Sequence, residues 1–505
     1  MTSPTPRWLV SGLVVLALVL AGVLWLRADA DPAASPGEPS ISTSAPTDEA
    51  SEPAGTDAEG SGGARSDELA VAENVTREDS YYPQVGDPGV DSLHHDLVLA
   101  WDPEARVLEG TDTLTFRATA DADQFQLDLG EPLEVESTML DGEEVDHEHT
   151  GKDLVVRTPV EEDREYVVEI AYSGTPEPAQ APTTRQDFST LGWTVTEDGE
   201  VWTMQEPFGA YTWYPVNDQP ADKALYDFTI TAPKPFVGVA NGTMVSRKDR
   251  ESDTTTRWHT DEPMSSYLTT IAIGDYAVEE QTTDSGVPIT LWVPKDKPGA
   301  MAKVRYAREA LEWVESKLGP YPFDSAGIVV TDSQSGMETQ TMITLGDNDY
   351  VLSKEVIVHE MVHQWYGDQV SPTDWRDVWM NEGMTMYLQA IYESEHGGPS
   401  METTMDEYAA SDASLRQEAG PPGAYDPATF GQGNIYYIPA VMWHELRQQL
   451  GDEEFWSMVR EWPAVRDNSG ATREDYVDWI EQTTGEELSA FFGEWLNGAT
   501  APARS

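Results

Sequence analysis

The chain has 505 residues and sets 30 Lys and Arg against 91 Asp and Glu, a formal charge of -61. Such a surface repels phosphate backbones and excludes nucleic-acid partners, while a hydrophobic content of 39% supplies two or three globular domains. Cysteine is absent, which rules out disulfides, thiolate nucleophiles, thiolate metal ligands and lipidated-cysteine anchors.

Arg7 precedes an uncharged apolar run from Trp8 to Leu26, about as long as a bilayer-spanning helix. Residues 1–30 read as an export signal. The small residues at Ala28 and Ala30 suit a cleaved signal peptide, and the flanking arginines suit an uncleaved membrane anchor, so both remain open. Either way the rest of the chain is expected outside the cytoplasm, secreted or anchored to the cell membrane. Residues 31–80 are rich in Pro, Ser, Gly and acids and predict a disordered stalk. Asn74 and Asn241 stand in glycosylation-type triplets, a pattern too short to outweigh chance.

Between 81 and 278, runs such as HHDLVLAW, DTLTFRA and EYVVEIAY recur between Gly, Pro and Asp turns and predict an antiparallel β domain. His94 and His95 fall on opposite faces of one strand and read as ordinary strand residues. His147 and His149 read as part of an acidic turn. From 279 to 505 the periodicity becomes helical, with short strands such as AGIVVTD in its first part. The fold class is α+β multidomain: a β domain followed by a mostly helical domain.

The segment VIVHEMVHQWYG puts His359 and His363 one turn apart on one helix face, with Ser353 as N-cap and Gly367 as stop. Catalytic zinc takes three protein ligands, so a third is required. Eighteen residues separate His363 from Glu382, on a second helix that can turn its carboxylate toward the same ion. His359, His363 and Glu382 thus form a His-His-Glu set for one zinc ion per chain, and Glu360 is placed as general base for the attacking water. The competing reading, helices whose polar residues only pair with one another, leaves polar groups buried among Val, Met and Trp at high cost.

At these motifs the sequence resembles the zinc metallopeptidases of the aminopeptidase N type, within the gluzincin group, over about Tyr81 to Pro502. HEMVH, the spacing to Glu382 and the NEG triplet carry the resemblance; YPQVGDPGVDSLHHDLVL and WYPVNDQPADKALYDF are similar to that family's N-terminal β domain. The resemblance implies a thermolysin-like catalytic domain over 279–505 and peptide substrates that lose N-terminal residues. Gly336, Met337 and Glu338 match the family's Gly-x-Met-Glu-Asn strand, which holds the peptide and binds its α-amine, with Thr339 in place of asparagine. MQEPFGAYTWYP selects Glu206 as a second amine-binding acid, with Gln205 a weaker neighbour. Tyr436 matches the tyrosine that stabilises the oxyanion. Ile438 and Pro439 replace the usual basic residue and glycine there, which makes Tyr437 a rival, while His444 reads as packed. The helical domain that covers the cleft in larger relatives has no counterpart before Ser505, which implies a more open site. Two other readings stand beside the aminopeptidase: a zinc endopeptidase or other zinc hydrolase using the same site, and a non-catalytic surface binding protein.

Overall fold

Alternation of buried and outward-facing residues governs the first half of the chain. In Val107–Ala118 and in Glu165–Gly174 every second side chain enters the interior, as a half-buried sheet requires. A computed structural model describes residues 69–504, all within one compact unit, Ser61–Ser505. The apolar run at 8–26 and the stalk positions 31–68 lie outside the described residues.

Val90–Asp102 lies near the centre of a nine-stranded sheet, antiparallel to Val107–Ala118 and parallel to Lys223–Pro233. The expected antiparallel β domain therefore contains one parallel pairing. A five-stranded sheet, including Thr190–Val195, Val201–Met204 and Ile271–Gly274, shares its core through Trp193, Trp213 and Trp258. His95 is buried against Asp112 at 2.9 Å and stacks on Tyr226, while His94 pairs with Asp227 at 3.0 Å. His147 and His149 belong to a strand, His147–Thr150, paired with Asp153–Val156, rather than the expected turn; both are half-buried, and His149 Nε2 bonds to Leu129 O at 2.9 Å.

Two boundaries differ from the sequence expectation. Residues 69–80 belong to the fold and not to a stalk: Asp79 is 2% exposed, accepting backbone hydrogens from Tyr82 and Trp375, and Ser80 donates to Asp374 Oδ1 at 2.8 Å. Asn74 donates to Lys223 O at 2.8 Å, and Asn241 is fully buried, so both triplets hold asparagines with structural partners. These tethers join residues far apart in the chain. The second boundary, expected at 278, falls inside Tyr276–Thr282, a strand of the next sheet.

That sheet runs Tyr276–Thr282, Pro288–Pro294, Ala326–Thr331, Ile343–Gly346 and Gly336–Met337, with the last strand at its edge. The helix Ala307–Leu318 lies between two strands of this sheet, and the helices that follow it include Lys354–His363, Trp379–Glu395, Met401–Ala419, Tyr437–Leu450 and Arg473–Thr484. Trp379, Trp443 and Tyr476 pack together at their centre and fix the helices that carry the site. Among the described residues no helix is long and apolar enough to cross a membrane.

Candidate metal centre

Ser353 caps the Lys354–His363 helix by accepting from Val356 N at 3.4 Å. Val358, Met361 and Val362 drive the helix into the core, which holds His359 and His363 against the Trp379–Glu395 helix. His363 Nδ1 donates to Tyr366 O and His359 Nδ1 to Gln389 Oε1, each at 3.0 Å. Because both partners are carbonyl oxygens, both Nε2 atoms are left with outward lone pairs. These atoms lie 3.2 Å apart, and each is 3.3 Å from Glu382 Oε2. A tetrahedral ion with ligands at about 2.0–2.1 Å needs donor separations of about 3.3–3.4 Å. Three acceptors converging at this spacing, with Glu382 Oε2 buried and lacking a hydrogen-bond partner among the described residues, fit a divalent cation.

Glu382 stands in the first turn of its helix, which is set close to the Tyr437–Leu450 helix by Gly383: a Cβ there would come within 2.3 Å of Pro439 Cβ. The proline that departs from the family pattern thus has its space made by the glycine of the NEG triplet. Tyr436 immediately precedes the second helix; its ring stacks over His359 with centroids 6.3 Å apart and its hydroxyl faces Glu382. Tyr437 turns away onto Tyr408, with centroids 4.6 Å apart. His444, two helix turns on, contacts Tyr387 and Gln448.

The Gly336–Met337 strand pairs with Ile343–Gly346 on one side only. Its Gly336 is required by the site: a Cβ would lie 2.5 Å from Glu360 Oε1. Thr339 secures the turn after the strand, bonding to Thr344 Oγ1 at 3.0 Å and to Met342 O. Glu338, Glu360 and His363 bring ligand-type atoms within 4.8 Å of one another. Glu206 is close enough to share their electrostatics, and Glu206 Oε1 and Glu338 Oε1 are buried with no hydrogen-bond partner among the described residues. Gln205 instead gives its amide to Thr269, with Oγ1 at 2.8 Å.

Burial raises the pKa of Glu206, Glu338 and Glu360 above the usual carboxylate range, and the crowding of their negative charges adds to it. Burial keeps the Tyr436 hydroxyl protonated, reinforced by the Glu382 charge.

Sequence reasoning did not single out two residues here. Gln389 lies on the Glu382 helix and fixes the His359 tautomer; its position seven residues after Glu382 was the available signal. Arg185 reaches the site from the loop between the strands Ala179–Gln180 and Thr190–Val195, and its charge acts on Tyr436, Glu382 and Glu360. No local pattern marks it.

The fold and site together define a candidate mononuclear metal centre of two histidines and a carboxylate, with the Glu360 carboxylate beside it. The Peptidase M1 N-terminal domain matches residues 91–268 and the Peptidase family M1 domain matches residues 303–495. The chain belongs to peptidase family M1. Glutamyl aminopeptidase of Homo sapiens is 28% identical over 39% of this chain and 23% of its own length. Aminopeptidase N of Streptomyces lividans is 27% identical over 56% of this chain and 36% of its own length. Probable aminopeptidase 1 of Sulfurisphaera tokodaii is 24% identical, over 77% and 51%. The matches thus span about a quarter to a half of these relatives. In structure, a mutant M1 zinc metallopeptidase of Deinococcus radiodurans bound to a Tyr-Ser-Ala substrate shares the fold with a TM-score of 0.75 at 23% identity, covering 85% of this chain and 99% of that one.

Proposed function

We propose that this chain is a zinc-dependent aminopeptidase, a hydrolase that removes N-terminal residues from peptides. The support is one juxtaposition: a three-donor metal trio stands beside two buried carboxylate oxygens, of Glu206 and Glu338, that lack hydrogen-bond partners among the described residues. Buried acceptors of this kind are costly to leave unpaired, and a substrate ammonium satisfies both. An endopeptidase, whose substrate continues past this point as neutral amide, leaves them unsatisfied. A non-catalytic binding protein has no use for Glu360 beside the trio.

His359, His363 and Glu382 would hold the zinc. The ion, when bound, supplies a Lewis acid that polarises the scissile carbonyl and acidifies water. Glu360 takes the proton from the attacking water and returns it to the departing amine. Tyr436, rather than Tyr437, donates its hydroxyl hydrogen to the oxyanion. The peptide adds to the free edge of Gly336–Met337 as a further strand, its amine between Glu206 and Glu338. An extracytoplasmic setting belongs to the same reading and is supported by the apolar run Trp8 to Leu26, which leaves release or membrane anchoring as the two outcomes.

Hydrolysis of a short peptide and of its N-acetylated form should be compared before and after chelation. Cleavage of the free peptide alone, lost with the metal and restored by zinc, is expected. Equal cleavage of the blocked peptide would overturn the amine-dependent reading, and activity that survives complete metal removal would overturn the metal centre.

A further inference from the structure

We propose that Arg185 receives the C-terminal carboxylate of a tripeptide whose amine is held by Glu206 and Glu338, which makes unblocked tripeptides the preferred substrates. This rests on the aminopeptidase reading and adds the opposite end of the substrate to it.

The Arg185 loop is fastened across the cleft. Phe430 N donates to Pro182 O at 2.9 Å, Thr183 Oγ1 donates to Phe430 O at 2.6 Å, and Arg185 Nη1 donates to Gly431 O at 3.0 Å, all within the segment that leads to Tyr436. On the other side, Asp187 accepts from Ser335 Oγ at 3.4 Å, the residue just before the Gly336–Met337 edge. The Arg185–Asp187 pair therefore bridges the tyrosine segment and the far end of the peptide-holding strand.

That position has a length. A peptide added to the edge with its amine at Glu338 runs toward Ser335. Three residues of extended backbone cover about 10 Å, close to the amine-to-carboxylate span of an extended tripeptide and one residue beyond that of a dipeptide.

The guanidinium has the means to bind there. Its Nε and Nη2 meet Asp187 and its Nη1 meets Gly431, which uses three of five N–H groups; among the described residues the other two have no partner. Its face packs on the Phe188 ring at 4.4 Å, and its side chain keeps 29% exposure, so it is fixed in orientation yet partly accessible. A terminal carboxylate entering a site lined by Glu206, Glu338, Glu360 and Glu382 is repelled unless a cation receives it. Arginine is suited to that task by its planar fork of donors.

The test uses the full chain loaded with zinc, with trialanine and trialanine amide as probes, in the wild type, Arg185→Met and Arg185→Lys. In the wild type kcat/KM should favour the free acid over the amide. Arg185→Met should reduce that ratio about tenfold or more, mainly through KM of the acid, and Arg185→Lys should restore part of it. Equal handling of acid and amide by the wild type would overturn the proposal without need of any variant. A parallel loss on both probes in Arg185→Met would also overturn it, making Arg185 a support for the Tyr436 segment. Failure of the wild type to cleave either probe would instead sink the aminopeptidase reading beneath it.

Discussion

His359 donates from Nδ1 to Gln389 Oε1 at 3.0 Å, so a ligand on one helix is oriented by the helix that carries Glu382. Gln389 is itself steered by the hydrogen bond its Nε2 donates to Glu393 Oε1 at 2.8 Å. Removing such a partner frees both the tautomer and the ring angle of the ligand. Gln389→Leu should weaken zinc binding by about 10- to 100-fold while the protein stays folded. Competition with a chromogenic chelator measures this, and an unchanged affinity would show that the orientation of His359 is set by packing alone.

Glu360 touches the site without belonging to the trio, so its loss should separate binding from chemistry. Glu360→Gln keeps the size that Gly336 accommodates and removes the base. Zinc content by atomic absorption should match the wild type, while kcat falls by about 100-fold or more. Loss of the metal in this variant would place Glu360 among the ligands.

The two tyrosines offer a sharper comparison. Tyr436 lies over His359 and faces Glu382, whereas Tyr437 packs on Tyr408. Tyr436→Phe should lower kcat by about 100- to 1000-fold with little change in KM, the mark of a donor used in the transition state. Tyr437→Phe should retain most turnover. Steady-state kinetics on one peptide would decide, and the reverse order would exchange their roles.

What the sequence revealed and what it hid divide along physical lines. His359 and His363 were legible because helical periodicity alone puts them on one face, and Glu382 because three donors were required and the next helix offered one. The contact of Gly383 with Pro439 was illegible, since it depends on how two helices distant in sequence approach. Arg185 was hidden for the same reason: its loop has no periodicity, and its partner Gly431 is far along the chain. Residues 69–80 look disordered by composition, yet buried Asp79 and half-buried Asn74 find long-range partners that composition does not encode. The break at 278 was misplaced because Tyr276–Thr282 continues the strand pattern of the first domain while pairing in the sheet of the second.

Glu206 and Glu338 should act on the amine and nothing else. Replacing either by Gln keeps its shape and removes the charge that an ammonium requires. A hydrogen bond to a charged group contributes about 1.5–3 kcal/mol, so each variant should lose about 10- to 150-fold in kcat/KM on free-amine peptides. Gln205→Leu should leave KM in place and lower thermal stability, because its amide serves Thr269. Equal kinetics for Glu338→Gln and the wild type would remove it from the amine site.

Lys223 links the domains from a buried position. It is 1% exposed and donates from Nζ to Asp368 O at 2.6 Å and Gln369 O at 3.2 Å. Burial lowers its pKa to about 7, against opposition from Asp368 and Asp467. Below that value both the folded and unfolded chains carry the proton. Between it and the ordinary lysine value only the unfolded chain does, so unfolding takes up a proton and stability rises with pH across this window. Lys223→Met removes the titration and leaves two carbonyls without their donor, a loss of about 1–3 kcal/mol each. At pH 6.5 the variant escapes the cost of a buried charge and the two effects oppose; at pH 9.5 only the lost hydrogen bonds remain. The gap in Tm between wild type and Lys223→Met should therefore widen in favour of the wild type as pH rises from 6.5 to 9.5. Thermal unfolding at several pH values measures it, and curves that run parallel would show that Lys223 keeps its proton throughout.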